Sequence, residues 1–253
     1  MAKNIKKRSA SHIYFGVNKL TGELKHISEV PSGQKCNCIC AACLQPFEAR
    51  KGTRRRHHFA HVSNYECMYA SEVAIYKAFA EALKQSGFLT LPPVMLRFPA
   101  WHDPELLQEA RRLKIDSVAF ECEPLSYPPL LRVTMQGTPL RILLDFDRYY
   151  DDDDRVELAE EAKAEDYSLL LISMPKIDQD TEFTPDRLQS ALQDNDRTEW
   201  VFSRLEEQWK QKYYAVAVSP PEHGTGNLCP ISFGKYKGKY SARWIDCAQC
   251  HFN

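Results

Sequence analysis

Short runs of alternating apolar and polar residues open the chain. The segments HIYFGV and LKHISEV lie on either side of a Thr21-Gly22 turn, and this pattern predicts a β-hairpin within the first 35 residues. Over residues 70–84 the period changes to helical spacing, and Gly87 follows as a stop signal. This second pattern predicts an amphipathic helix with one face formed by Val73, Tyr76, Ala80 and Leu83.

The middle of the chain returns to strand-like runs. MLRFPAW, KIDSVAFECEPL, LLRVTM and PLRILLDFDRY each predict a strand, and Gln136-Gly137 joins the last two as a hairpin. Between the first two runs, ELLQEARRL predicts a short helix. Residues 151–164 predict an acidic helix, YSLLLISM another strand, and residues 184–212 a final helix with Trp200, Leu205 and Trp209 facing inward.

This order of elements predicts an α/β fold in three parts. Residues 1–69 form an N-terminal hairpin and metal module, residues 70–215 the α/β core, and residues 216–253 a Pro/Gly linker with a Cys-rich tail. No run approaches the roughly 18 apolar residues that a membrane span needs, and the basic start has no apolar stretch behind it to act as a secretory signal. We therefore expect a cytoplasmic protein that does not contact membranes.

The net charge of −1 conceals an asymmetry along the chain. Through Ala70 there are twelve Lys and Arg against four Asp and Glu, whereas the remainder has 21 against 30. A basic first quarter is typical of a phosphate-facing surface, although a solvated basic face that balances an acidic body explains the same numbers. We expect nucleic-acid phosphates to contact the densest basic run, which contains Lys51, Arg54, Arg55 and Arg56.

Eight of the nine cysteines fall into two windows, residues 36–67 and 229–250. In a reducing compartment such clustering favours metal ligands over disulfides. In the first window a CxxC pair presents two thiolates to one ion, and His58, His61 and Cys67 follow at metal-ligand spacing. The surplus Cys36 and Cys38 leave a different ligand set or a second ion open. We favour one tetrahedral zinc site formed by Cys40, Cys43, His61 and Cys67.

The second window predicts a further zinc site on weaker spacing. Its ligands would be Cys229, Cys247 and Cys250, with His251 or His223 as the fourth. The alternative is that these thiols are small core residues. The tail also interleaves basic and aromatic residues, a pattern that fits either a nucleic-acid platform or the mini-core of a metal site.

Several of these motifs together resemble the zinc-bearing front of competence CoiA-like proteins. They are GELKHI, CICAAC, EARKG and HHFAH, followed by Cys67 and a helix. The resemblance implies a PD-(D/E)XK restriction-endonuclease-like core, a mixed sheet flanked by helices, and a role in handling incoming, foreign or mobile DNA. In such cores a helix glutamate, an aspartate after a proline and an acidic residue on the next strand hold magnesium, which polarises the phosphate and activates a water.

The chain departs from that pattern at each of these places. Where the helix of such relatives opens with Glu-Ser and carries a histidine one turn later, this chain has Ala70 and Ala74. The residue after the proline is Leu130, and the acidic position on the returning strand falls at Leu143. Because hydrolysis by this route needs the carboxylates, we predict a pseudonuclease that binds nucleic acid, DNA in the first instance, without cutting it.

Two alternatives remain open from the sequence. An active magnesium-dependent endonuclease would need a migrated site, for which the chain offers Glu72, Asp116, Asp145 and Asp147. A protein-interaction accessory or inhibitor subunit would instead use the acidic back half to engage a partner's DNA-binding groove. The run at residues 151–154 is interpreted as solvated carboxylates that cap a helix beginning near Arg155.

Overall fold

The computed structural model describes residues 12–63, 67–97, 104–122, 128–146, 150–177, 181–216, 235–236 and 239–240. The helices are α1 (Ala70–Ser86), α2 (Asp152–Ala164), α3 (Pro185–Ala191) and α4 (Arg204–Val216). The strands are β1 (Phe15–Asn18), β2 (Leu24–His26), β3 (Cys38–Ile39), β4 (Phe47–Arg50), β5 (His58–His61), β6 (Phe88–Leu91), β7 (Val94–Leu96), β8 (Glu105–Gln108), β9 (Arg111–Lys114), β10 (Ser117–Glu121), β11 (Leu130–Met135), β12 (Thr138–Phe146), β13 (Ser168–Met174), β14 (Thr198–Phe202), β15 (Lys235–Tyr236) and β16 (Lys239–Tyr240).

The N-terminal part contains two small antiparallel units. Strands β2, β1 and β3 form one sheet in that order, which confirms the predicted hairpin, and Gly22 closes its turn at a φ of 71°. Strands β4 and β5 form a separate hairpin. The two units pack so closely that a Cβ atom on Gly16 of β1 would lie 3.2 Å from the Phe47 ring and 3.4 Å from the Phe59 ring of the hairpin.

The core is a five-stranded mixed sheet in the order β10-β11-β12-β13-β14. All neighbours are antiparallel except β12 and β13, which are parallel and joined through α2. Helix α1 ends at Gly87, which adopts a φ of 64° and donates its N–H to the Leu83 carbonyl, so the predicted helix and its stop are confirmed.

Helices α1 and α2 cover opposite faces of this sheet. The face of the sheet that packs against α1 is apolar along β11 and β12. Alternate side chains of these two strands belong to the same buried cluster as the side chains of α1. Leu143 lies on the other face, in a second cluster with Ala162 of α2 and Tyr167. The first cluster continues from the N-terminal strands into the sheet, so one apolar core underlies both.

The prediction of a helix for ELLQEARRL is wrong. This segment forms β8 and β9, which pair with β7 and β6 respectively. Glu, Leu and Arg are good helix formers, but intrinsic helix propensity amounts to only a few tenths of a kcal/mol per residue, and pairing with a neighbouring strand overrides it. The guanidinium of Arg112 also packs over the Phe88 ring of the partner strand, 4.6 Å from its centroid.

The single helix predicted over residues 184–212 is also wrong. The segment TEWVF, rich in β-branched and aromatic residues, forms β14 along the edge of the sheet and separates α3 from α4. The half-buried Trp200 belongs to this strand, and its indole donates to the Pro92 carbonyl. Leu205 is half-buried on α4, whereas Trp209 keeps 36% of its surface exposed.

The acidic helix predicted over residues 151–164 is confirmed, but its start near Arg155 is not. Helix α2 begins at Asp152 rather than near Arg155, because Asp151 and Asp154 form a reciprocal capping box. Asp154 is buried in that role, so the run is not uniformly solvated. No helix in the described part of the chain is long and apolar enough to span a membrane.

Candidate metal centre and nucleic-acid interface

A tight turn holds the two thiols of the CxxC pair on one side of the backbone. The Cys40 N–H donates to the Gln45 carbonyl at 2.9 Å, and the Leu44 N–H donates to the Cys40 carbonyl at 3.0 Å. To close the turn, Leu44 adopts a φ of 61°, in the left-handed region that is unfavourable for a residue with a side chain. The Ala42 N–H points at the Cys40 sulfur, 3.4 Å away, and such donors favour a thiolate there.

The remaining two candidate ligands come from strand β5 and from the segment just before α1. Strand β5 pairs Phe47 with His61, and the Phe47 ring meets the His61 imidazole edge-on with centroids 4.8 Å apart. Cys67 lies three residues before α1, and its carbonyl accepts the Ala70 N–H at 3.4 Å. The hairpin and the helix start therefore converge on the CxxC turn.

Cys40, Cys43, His61 and Cys67 form one cluster in which every pair of ligand atoms lies within 4.8 Å. The Cys43 sulfur is 3.2 Å from His61 Nε2. Cys40 is fully buried and His61 is nearly so. These are the four residues favoured from the sequence, and their arrangement could hold a metal ion such as zinc.

The thiols of this cluster share protons in a way that suits a cation. A hydrogen bond from the Cys40 thiol to the Cys67 sulfur lowers the pKa of Cys67 to about 6, and the same bond together with burial raises the pKa of Cys40. Burial raises the pKa of Cys43 and lowers that of His61. The lowered pKa values of His61 and Cys67 both favour the deprotonated forms that bind a metal ion.

The other cysteines and histidines of this window have different places. The Cys36 thiol donates to the Phe47 carbonyl at 3.5 Å, and the Cys38 thiol donates to the Cys36 carbonyl at 3.2 Å. His58 lies at the far end of β5, where its Nδ1 is 2.9 Å from the Arg56 carbonyl and its ring meets that of His12. Among the described residues, no second group of metal-ligand type is present.

The basic run forms the loop at the far end of the β4–β5 hairpin. The strand pair closes on the metal cluster at Phe47 and His61 and opens towards the loop at Arg50 and His58. That separation is about 10 Å at strand rise. The cluster therefore fixes the base of the hairpin, and the loop projects from its tip.

The side chains of this loop are not equivalent. Arg54, Arg55 and Arg56 are exposed, and none of them makes an ion pair within the part of the chain that the structure describes. Lys51 differs, because its ammonium donates to the carbonyls of Ser28 and Val30 and ties the loop to the turn after β2. The sequence prediction that Lys51 faces phosphate does not fit this placement.

The carboxylates considered for a migrated magnesium site do not converge. Glu72 is buried on α1, near enough to Cys67 to act on the charge of its thiol. Asp145 is buried on the α2 face of β12, where Arg155 lies 3.9 Å away. Asp116 is exposed at the opposite end of the sheet and accepts the Gly137 N–H at 3.0 Å, roughly 25 Å along β12 from Asp145.

The positions at which the family resemblance places catalytic groups are apolar or occupied. Ala70 and Ala74 are buried in the core, and Leu143 belongs to the α2 face. The pairing of β11 with β12 ends at Ile142. Further along β12 the Tyr76 hydroxyl bonds to the strand backbone instead: it accepts the Leu144 N–H at 2.7 Å and donates to the Leu144 carbonyl at 3.3 Å. The sequence indicated only that Tyr76 faces inward, and nothing in it signalled this contact.

Some predicted site residues lie outside the described residues. They are Asp147 and the second cysteine group, Cys229, Cys247, Cys250 and His251. Comparisons of the chain with protein-family models, with curated proteins and with solved structures found no match. The function is therefore inferred from the geometry of the described residues.

Proposed function

We propose that this chain is a zinc-containing nucleic-acid-binding protein of the CoiA-like nuclease type, catalytically inactive, that acts in handling foreign or mobile DNA. The observation that carries the proposal is the position of the Cys40/Cys43/His61/Cys67 cluster at the base of a hairpin whose tip presents three exposed arginines. In this view zinc fixes the hairpin, and the arginines contact phosphates.

The donor set supports zinc as the ion. Three sulfurs and one imidazole nitrogen are soft or borderline ligands, which select zinc over magnesium or calcium. Tetrahedral zinc with Zn–S bonds of about 2.3 Å places its ligands roughly 3.8 Å apart. Ligand atoms within 4.8 Å of one another need only a small contraction to reach that geometry.

The arginine loop supports nucleic acid as the partner. Guanidinium groups bind phosphate in a bidentate manner and stay charged at every relevant pH. Arg54, Arg55 and Arg56 are exposed, and the loop lies within a hairpin closed by the metal cluster. Contacts of this kind position the protein on a backbone without reading the base sequence.

The core supports binding without hydrolysis. A magnesium site needs two or more oxygen ligands around one point. Glu72 and Asp145 lie on opposite sides of the sheet, and Asp116 lies at its other end. A mixed sheet with helices on both faces is what the resemblance to PD-(D/E)XK proteins implies, so we infer that the core is a nuclease-like scaffold that has lost its metal ligands.

The salt dependence of binding tests the arginine loop. Replacing all three arginines by Ala is expected to weaken binding to duplex DNA and to reduce the slope of log K against log salt by about 3, one unit for each phosphate contact. The measurement is fluorescence anisotropy of a labelled duplex at several salt concentrations.

A matched control removes three exposed basic residues from elsewhere on the surface. The control variant replaces Lys84, Arg111 and Lys114 by Ala. It should keep the slope of the unmodified protein if the arginine loop is the interface. Equal slopes in both triple variants would contradict the assignment.

A further inference from the structure

A groove on the side of the molecule away from the sheet is not used by the metal centre or by the arginine loop. It has a volume of about 660 Å³, within the range of roughly 300–1,000 Å³ that ligand sites occupy. The groove runs between the β1–β2 hairpin, the second half of α1 and the start of α3. Its walls come from three separate elements.

Small side chains on α1 create the space. Ala78 and Ala82 are buried along the floor of the groove, and Leu188 of α3 closes the far wall. Longer apolar side chains at the two alanines would fill the gap between α1 and the hairpin. The floor is therefore apolar where these small side chains lie, and it leaves room for side chains from another segment.

One wall of the groove is the open edge of a strand. Among the described residues β2 is an edge strand, paired only with β1. The Asn18 N–H donates to the Glu23 carbonyl and the Ile27 N–H donates to the Tyr14 carbonyl, so residues 23, 25 and 27 face β1. The backbone N–H and carbonyl of Leu24 therefore point outward, whereas the His26 N–H donates to the Glu29 carboxylate and its backbone caps the short helix that follows.

The side chains that line the groove carry a net negative charge, which favours a basic ligand. Its lining contains three carboxylates, Glu23, Glu29 and Glu81, against the single ammonium of Lys25. Burial lowers the pKa of His26, so this side chain adds no positive charge near pH 7. The ion pairs that Glu23 and Glu81 make are exposed and solvent-screened, and they compete weakly with an incoming cation.

From these features we propose that the groove binds an extended, basic peptide segment of a partner protein, which adds to the edge of β2 as a further strand. The backbone N–H and carbonyl of Leu24 pair with the peptide backbone. Alternate Lys or Arg side chains meet Glu23, Glu29 and Glu81, and the intervening apolar side chains cover Ala78 and Ala82. This site is separate from the proposed nucleic-acid interface and stands without it.

Labelled nine-residue peptides test the proposal against the full-length protein. The probe alternates Lys and Val, and its counterpart alternates Glu and Val. Fluorescence anisotropy should show saturable binding of the Lys-Val peptide alone. Glu81→Lys should weaken that binding at least about fivefold, because it replaces an attraction by a repulsion of like charges.

Two controls separate strand addition from general attraction to the acidic half of the chain. Glu157→Lys makes the same charge change on an exposed position of α2 and should leave binding unchanged. A Lys-Val peptide N-methylated at alternate residues keeps its charge but cannot complete the strand pairing, and it should not bind.

Three results would overturn the assignment. They are equal binding by the two charge types, undiminished binding by Glu81→Lys, and undiminished binding of the methylated peptide. Self-association of the protein that Glu81→Lys abolishes would assign the groove to a second copy of the chain instead, and would overturn it as well.

Discussion

Cys67 connects the candidate metal cluster to the start of α1. It lies three residues before α1, and its sulfur shares a proton with Cys40. The neighbouring Cys36 and Cys38, in contrast, donate their thiols to backbone carbonyls. The same residue type thus has a ligand role at one set of positions and a packing role at another, and only the side-chain geometry separates them.

Cys67→Ser is expected to abolish metal binding. A hydroxyl is a much poorer zinc ligand than a thiolate, and three remaining ligands hold the ion weakly. Elemental analysis of the purified protein should show one metal equivalent fewer than in the unmodified chain. Cys38→Ser serves as the control: it lowers stability, since a hydroxyl enters a buried apolar site, but it keeps that equivalent. Loss of the same equivalent from Cys38→Ser would contradict the ligand set.

Tyr76→Phe is expected to destabilise the protein by about 1–3 kcal/mol. The change leaves the buried backbone N–H of Leu144 without its acceptor. Urea denaturation followed by circular dichroism measures the effect. Tyr167→Phe is the matched control, because the Tyr167 hydroxyl bonds to Arg141 and Glu161, whose side chains reach solvent. This change should lower the free energy of unfolding by about 1 kcal/mol or less. A larger loss in the control would contradict this account of Tyr76.

We expect the β4–β5 hairpin to be the element whose order depends most on a metal ion bound by the four-residue cluster. It has only four paired residues on each strand, and a two-stranded hairpin of that length is marginal in water. The cluster closes its base, while the bridge from Ile13 to Phe59 ties it to the N-terminal segment. We therefore expect removal of a bound ion to loosen the hairpin before it affects the five-stranded sheet.

Hydrogen exchange tests that order of events. Treatment with a strong chelator is expected to accelerate exchange of the Phe59 and Val62 amides, which bond to the Ile13 and Pro46 carbonyls. Amides in the parallel β12–β13 pair should stay protected. Unchanged protection in β5 after verified metal removal would show that the ion does not hold the hairpin.

The elements also show where sequence reasoning succeeds. Helix α1, the β11–β12 hairpin and β13 follow from strong periodicity and from turn signals such as Gly87 and Gln136-Gly137. The ELLQEARRL segment and TEWVF were mistaken because their structure depends on distant partners, β6, β7 and β13. The ligand set followed from residue type and spacing, whereas the role of Lys51 and the separation of the carboxylates depend on contacts that no local pattern encodes.

At the scale of the whole molecule, one apolar core extends from Ile13 to Leu192. The predicted division at residue 70 separates elements, but the core is continuous across it. The metal centre therefore rests directly on the helix and sheet of the α/β core, which has no converging carboxylates among the described residues.

The most direct test of this account reads binding and cleavage from the same samples. Zinc-loaded protein is incubated with labelled single- and double-stranded DNA, with and without magnesium or manganese, at low and high salt. The account predicts retardation that weakens with salt, with every strand intact in both metals. Metal-dependent cleavage that Asp145→Ala abolishes, or the absence of retardation at low salt, would contradict it.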